Sequence, residues 1–230
     1  MIYITGDIHG DLRRISDFAY KHETSKEDTM IILGDVGFNY FRNYLDVQRK
    51  TCAESIPLTF FCVHGNHEMR PQTIGTYLEK EFWGGKVLYE EAYPSLLFAV
   101  DGEIYNIGGK RALVIGGAYS VDKEYRLQRG FHWFSDEQPS PRTKVLTEAK
   151  LGLSEWSVDV VLSHTCPLKY EPVEVFLPFI DQSKVDKSTE EWLDSIEQRL
   201  TYDKWYCGHY HTEKIIDKLE FMYESIKEFK

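Results

Sequence analysis

Five short polar clusters interrupt an otherwise ordinary globular pattern: Gly6-Asp7-Ile8-His9-Gly10, Gly34-Asp35, Gly65-Asn66-His67-Glu68, Ser163-His164 and Gly208-His209-Tyr210-His211. Together they offer carboxylate oxygens, imidazole nitrogens and an amide oxygen, the donors that hard-to-borderline divalent cations take. No cysteine stands at these positions, which disfavours a thiolate zinc site. Asp7 and His9 are two residues apart, as are His209 and His211, so each pair points the same way if its strand continues. A single histidine at a strand end is more often a surface residue than a ligand. Five such clusters in one chain reverse that balance. The Gly-Asp pairs have the composition of simple turns, but placement after two different buried apolar runs makes that account insufficient.

The first four clusters each close a short β-rich run: Ile2-Tyr3-Ile4-Thr5, Met30-Ile31-Ile32-Leu33, Leu58 to Val63, and Val158 to Leu162. The first three are nearly continuous apolar runs, as strands buried on both faces require. Leu12, Ile15, Phe18 and Ala19 recur at helical spacing, and the stretch from Phe41 to Ser55 can cross back to the third strand. This alternation predicts a parallel sheet with right-handed crossovers. Leu96 to Val100, Glu103 to Ile107 and Ala112 to Ile115, joined by Asp101-Gly102 and Gly108-Gly109, read as an antiparallel meander that supplies a second sheet. Ser188 followed by Glu191 forms a capping-box pattern ahead of the stripe Trp192, Leu193, Ile196 and Leu200. From Tyr119 to Pro141 no period is visible, which predicts a functional loop. Its aromatics, Tyr119, Tyr125, Phe131, Trp133 and Phe134, read either as a wall that stacks on a base or as a satellite core.

At 230 residues the chain suffices for a single domain, 1–230. A net charge of −10 argues against a protein that coats duplex DNA. No apolar run reaches the roughly 20 residues of a membrane span, and the N-terminus shows no basic leader region. The four cysteines form no CxxC pair and read as buried reduced thiols, so a cytoplasmic location is expected.

In their order, GDIHG, GD, GNHE, SH and GHYH resemble the motifs of the calcineurin-like metallophosphoesterase superfamily, over residues 6 to 211. The resemblance implies an α/β fold, a four-layer αββα sandwich of two packed mixed sheets, with a dinuclear metal site at strand C-terminal ends. By matching positions, one metal takes Asp7, His9, Asp35 and His211, and the other takes Asp35, Asn66, His164 and His209, with Asp35 bridging. Manganese is the expected metal, and iron, zinc or nickel suit the same donors. Two dications about 3.5–4 Å apart lower the pKa of a shared water and clamp phosphate oxygens, so the expected reaction is metal-activated hydroxide attack on a phosphate ester. His67, beside a ligand but not needed as one, is the expected catalytic residue, protonating or stabilising the leaving-group oxygen. Glu68 is expected to hydrogen-bond an imidazole of the cluster and fix its tautomer.

Gly65 to Glu68, Trp83-Gly84-Gly85, and Ile115 to Ser120 leading to Tyr125-Arg126 are similar to a run of RNA lariat debranching enzymes. Those enzymes carry a cysteine in the first motif where this chain has Asp7. Trp133 to Glu137 is similar to a run in bacterial members of the superfamily, which implies a bacterial or phage source. The expected substrate is a nucleotide-containing or other small organic phosphate ester, with RNA among the candidates, hydrolysed by a phosphodiesterase. Arg126 and Tyr119 are the expected substrate contacts, and Arg42, Arg70 and Arg129 are further candidates for gripping phosphate. Two alternatives stand beside this reading. A phosphomonoesterase of the protein-phosphatase or dinucleoside-polyphosphatase type would carry an Asp-Arg pair after the second motif, whereas Asp35 is followed by Val36-Gly37-Phe38-Asn39. A scaffold that has lost catalysis would lack ligands, and none is missing here.

Overall fold

Apolar side chains on both faces of a strand need cover on both faces, and this requirement produces the layers. The computed structural model describes residues 1–230, with strands in two sheets. The seven-stranded sheet runs in the order β13 (Lys227–Glu228), β1 (Ile2–Thr5), β2 (Thr29–Ile32), β3 (Thr59–Cys62), β6 (Tyr93–Ala99), β5 (Gly85–Glu90) and β4 (Leu78–Phe82). The six-stranded sheet runs β11 (Lys214–Ile216), β12 (Leu219–Phe221), β10 (Lys204–Cys207), β9 (Val160–Ser163), β8 (Lys110–Ile115) and β7 (Ile104–Ile107). Each has a parallel centre, β1-β2-β3-β6 in one and β8-β9-β10-β12 in the other, and antiparallel strands outside it.

Alternation along each strand divides its side chains between two cores. Ile31, Leu33, Phe61 and Val63 of the first sheet meet Val114, Val160, Leu162 and Tyr206 of the second between the sheets. On the outer face of the first, Met30, Ile32, Phe60 and Cys62 pack on Ile15 and Ala19 of α1 (Arg13–Lys21) and Ala53 of α2 (Tyr44–Ser55). On the outer face of the second, Leu113, Val161 and Trp205 pack on Leu151 of α4 (Pro141–Leu153) and Leu193 and Ile196 of α5 (Ser188–Glu197). The result is the four-layer αββα sandwich that the motifs imply. No helix is long and apolar enough to cross a membrane.

Several local expectations differ. The stretch from Tyr93 to Ala99 joins the first sheet, parallel to β3 with Phe60 opposite Leu96, and only the β7–β8 hairpin belongs to the second. β9, grouped by its sequence pattern with the first three strands, lies in the second sheet between β8 and β10. A run buried on both faces fits the interior of either sheet, so its pattern does not assign it. A seven-residue helix, α3 (Lys123–Arg129), occupies the segment expected to be irregular; two turns are too short to display a period. At the start of α5 the cap position is Lys187, with no side-chain cap, and the Ser188 amide donates instead to Asp186 Oδ1 at 3.0 Å. Cys62, Cys166 and Cys207 are buried, but Cys52 is exposed on α2, and all four are free thiols.

Candidate metal centre

The C-terminal ends of β1, β2, β3, β9 and β10 carry the five motifs to one place, and the motif glycines let them interlock. A Cβ on Gly34 would stand 2.0 Å from His164 Nδ1, one on Gly65 2.0 Å from Asp35 Oδ1, and one on Gly208 2.2 Å from Asp7 Oδ1. Each of these glycines therefore vacates the space that a polar side chain of another motif fills, two of them across the two sheets. His9, Asp35, His209 and His211 adopt left-handed backbone conformations, with φ of 48°, 44°, 68° and 48°. For residues bearing a Cβ this costs on the order of 1–3 kcal/mol each and persists only where the surroundings dictate it. They do so here: His9 N–H donates to Asp35 O (2.7 Å) and Gly10 N–H to Val36 O (2.9 Å), while Arg14 donates to the carbonyls of Gly6, Asp7 and Tyr223.

Asp7 is 1% exposed. Its Oδ1 accepts the His209 amide at 3.0 Å, whereas Oδ2 is buried without a donor, with His211 Nε2 at 3.3 Å and His9 Nε2 at 3.9 Å. Asp35 Oδ1 accepts the His67 amide at 2.7 Å and lies 3.7 Å from His164 Nε2; Oδ2 lies 4.0 Å from His9 Nδ1. Three groups bring their ligand atoms within 4.8 Å of one another and could each hold a cation: Asp7, His9 and His211; His9, Asp35 and His67; and Asp7, Asp35 and His164. The His209 ring lies beside His164, with centroids 5.0 Å apart, and belongs to none of the three groups.

A directed hydrogen-bond chain fixes Asn66. Ser120 Oγ gives its only proton to Glu137 Oε2 (2.6 Å), so it accepts from Asn66 Nδ2 (2.8 Å), and Asn66 Oδ1 is turned towards His164 Nε2 at 2.8 Å. His164 Nδ1–H donates to the Leu33 carbonyl (2.8 Å), so a ring carrying one proton has its lone pair on Nε2. Two acceptors then face each other, and only a proton or a shared cation reconciles them. The buried donor set thus fits a metal ion.

The electrostatics agree. Burial pushes the Asp7 carboxyl up, but the nearby His164, His211 and His9 outweigh it and hold the group below its ordinary value. For Asp35, burial is likewise outweighed by His164, His67 and His9. His209 is pushed down to about 3 by burial, with His164 adding to the effect, so its imidazole is neutral, as a ligand must be. Burial also lowers His67, against the pull of Asp35.

A cavity of about 430 Å³ opens on this cluster. His9, Asp35, Asn66, His67, His209 and His211 line one side, and Tyr119 stands among the remaining lining residues. Facing them is an apolar wall drawn from Val175 to Val185, a segment that follows from a 3-10 turn at Val173–Val175 and contains another at Gln182–Lys184. Sequence reasoning missed this wall; its only signal is a cluster of apolar residues around Pro172 and Pro178 that follows neither structural period. Among the five aromatics read as either a wall or a satellite core, only Tyr119 lines the cavity; Tyr125 and Phe131 are exposed, Phe134 is buried, and Trp133 donates to Glu137.

No lysine or arginine lines the cavity. Arg126, expected to contact substrate, is 2% exposed, its Nη1 3.3 Å from Ser120 Oγ and its guanidinium over the Tyr40 ring. It lies on the buried side of α3. Arg70 is tied to Asp101 and the Asp136 carbonyl. Glu68 touches no imidazole: its oxygens accept the amides of Gly65 (3.1 Å) and Gly37 (3.2 Å), so it braces two motif loops, with its carboxyl pushed up to about 8 by burial and Asp35.

A family model described as calcineurin-like phosphoesterase matches residues 1–213. No curated protein matches the chain. Among solved structures, phosphopantetheinyl hydrolase (PptH) from Mycobacterium tuberculosis is similar, with a TM-score of 0.50 and 14% identity, over 96% of this chain and 87% of that one. A protein of unknown function from Aquifex aeolicus matches with a TM-score of 0.28 and 13% identity, over 74% of this chain and 81% of that one. At such identity the likeness to PptH is one of fold.

Proposed function

We propose, from the premise that this chain belongs to the calcineurin-like phosphoesterase family and is a metal-dependent phosphoesterase, that it hydrolyses phosphodiesters of small organic or nucleotide-containing groups at a dinuclear centre. Asp7, His9, Asp35 and His211 would hold one ion and Asp35, Asn66, His164 and His209 the other, with manganese the proposed metal. When bound, two such cations polarise the phosphoryl oxygens and make a water acidic enough to attack phosphorus. The observation that carries the reading is the pair of facing acceptors, Asn66 Oδ1 and His164 Nε2, beside the donor-free Oδ2 of Asp7.

The chain's own groups do the rest. Asp7 and Asp35 stay ionised and supply the negative charge that holds cations. His67 lines the cavity, with Nε2 3.9 Å from Asp122 Oδ1, and donates its N–H to the leaving-group oxygen. A diester is favoured over a monoester because the lining offers no guanidinium or ammonium for a second phosphate charge, while the apolar wall gives a second ester group a place to lie. Tyr119 borders the same space.

The test is an assay of chelator-treated protein resupplied with manganese, iron, zinc or nickel, on bis-p-nitrophenyl phosphate, p-nitrophenyl phosphate and linear and cyclic nucleotides. Turnover of the diester, strongest with manganese, is expected. Hydrolysis of the monoester alone would overturn the diesterase assignment. Unchanged turnover after Asp35→Asn would overturn the assignment of the centre.

A further inference from the structure

The apolar wall ends on a carboxylate that the reaction does not use. Val175, Phe176, Leu177, Ile180 and Val185 line the cavity together with Glu190, from the first turn of α5. Glu190 is 4% exposed. Its Oε1 accepts from Thr165 Oγ1 at 2.7 Å, and its Oε2 is buried with no hydrogen-bond partner. Two other carboxylates that line the cavity face charged neighbours: Glu171 binds Lys187 Nζ at 2.6 Å, and Asp122 lies 3.9 Å from both Arg126 Nη1 and His67 Nε2. Glu190 has no ion-pair partner, and a buried acceptor without a donor is costly. Burial raises its carboxyl to about 7, so a cation nearby would fix it in the charged form. No lysine or arginine belongs to the lining itself; the nearest ammonium, Lys187, is taken up by Glu171 and leaves Glu190 Oε2 without a partner. Phe176 and Tyr210 stack at 6.1 Å beside it, and the Phe176 ring already carries Lys187 Nζ 5.3 Å from its centroid, as an aromatic face does for an ammonium group.

We propose that this wall receives the organic substituent of the phosphate ester, and that Glu190 Oε2 selects a substituent ending in a primary ammonium group. The apolar residues take the methylene stem, and the buried carboxylate takes the charged head. This rests on the phosphoesterase reading of the neighbouring centre, whose metal ligands and His67 are separate residues.

Manganese-loaded enzyme is assayed on p-nitrophenyl hexyl phosphate, p-nitrophenyl 6-aminohexyl phosphate, its 6-acetamidohexyl analogue and bis-p-nitrophenyl phosphate. The expected kcat/KM for the amino ester exceeds that for the hexyl ester by about tenfold or more, the effect of one charge-assisted hydrogen bond. Glu190→Gln should bring that ratio close to one. A ratio near one in the unaltered enzyme, a preference for the acetamido ester over the amino one, or a ratio that survives Glu190→Gln overturns the proposal and leaves the phosphoesterase reading standing. No turnover of any ester overturns both. A second measurement needs no variant: calorimetric titration of the unaltered protein should show hexylammonium binding more tightly than 1-hexanol, and equal binding overturns the proposal.

Discussion

Replacing Ser120 by alanine removes the hydroxyl that decides which way Asn66 faces. In the native chain that hydroxyl accepts from Asn66 Nδ2 at 2.8 Å and donates to Glu137 Oε2 at 2.6 Å. Glu137 keeps other donors in the variant, the Ser120 amide on Oε1 and Trp133 Nε1 on Oε2, so the donors that lose an acceptor are Arg126 Nη1 and, beside the centre, the Asn66 amide. One buried donor left unmade costs about 1–3 kcal/mol of stability. Asn66 can recover it by turning its NH2 towards His164 Nε2, 2.8 Å from the present Oδ1, which satisfies the imidazole without a cation and removes a ligand oxygen. The metal-free state gains what the loaded state loses, so cation affinity should fall by about 10–100-fold, as loss of groups that orient ligands typically does. Calorimetric titration of manganese into chelator-treated protein, paired with the manganese dependence of bis-p-nitrophenyl phosphate hydrolysis, measures this. If Ser120→Ala folds and binds manganese within twofold of the native protein, the directed chain does not set the ligand.

His67→Ala should lower kcat by roughly 10²–10⁴-fold while titration shows manganese still bound; an unchanged kcat would remove His67 from the reaction. Gly34→Ala places a Cβ 2.0 Å from His164 Nδ1 at a φ of +101°; thermal unfolding should show a loss of at least about 1–3 kcal/mol, and an unchanged melting temperature would contradict the interlock. Glu190 has a folded-state pKa of about 7 against an ordinary 4.5, so the folded chain holds its proton more tightly and stability falls as pH rises from 4.5 through 7. The penalty is complete above that range and is at most about 3 kcal/mol. Urea unfolding at pH 5 and pH 8 should show a smaller difference for Glu190→Gln than for the native chain, and equal differences would refute the assignment.

The sandwich and the strand-end clusters were legible because both faces of a buried strand must be apolar until a polar group has a reason to stand there. Met30 to Leu33 followed by Gly34-Asp35 states that reason in six residues. Sheet membership was not legible, because Val160–Ser163 would be equally well covered in either sheet and only its neighbours β8 and β10 decide. Arg126 was misplaced for a related reason. A guanidinium near a phosphate site suggests an anion grip, but a seven-residue helix turns it inward on to Ser120 and the Tyr40 ring. Glu68 sits where a partner for an imidazole would stand, yet the amides of Gly65 and Gly37 reach it first. The wall from Val175 to Val185 escaped notice since 3-10 turns broken by proline leave no repeating pattern to read.

The glycine contacts separate what can vary in this protein from what cannot. Adding one methyl group at Gly34 or Gly208 would press on a side chain supplied from more than a hundred residues away, so neither glycine can change without disturbing another motif. No glycine interrupts Val175–Val185, where Phe179 is 78% exposed. If that wall takes the ester substituent as proposed, mutation there reshapes what the enzyme accepts without unseating the groups that cleave it.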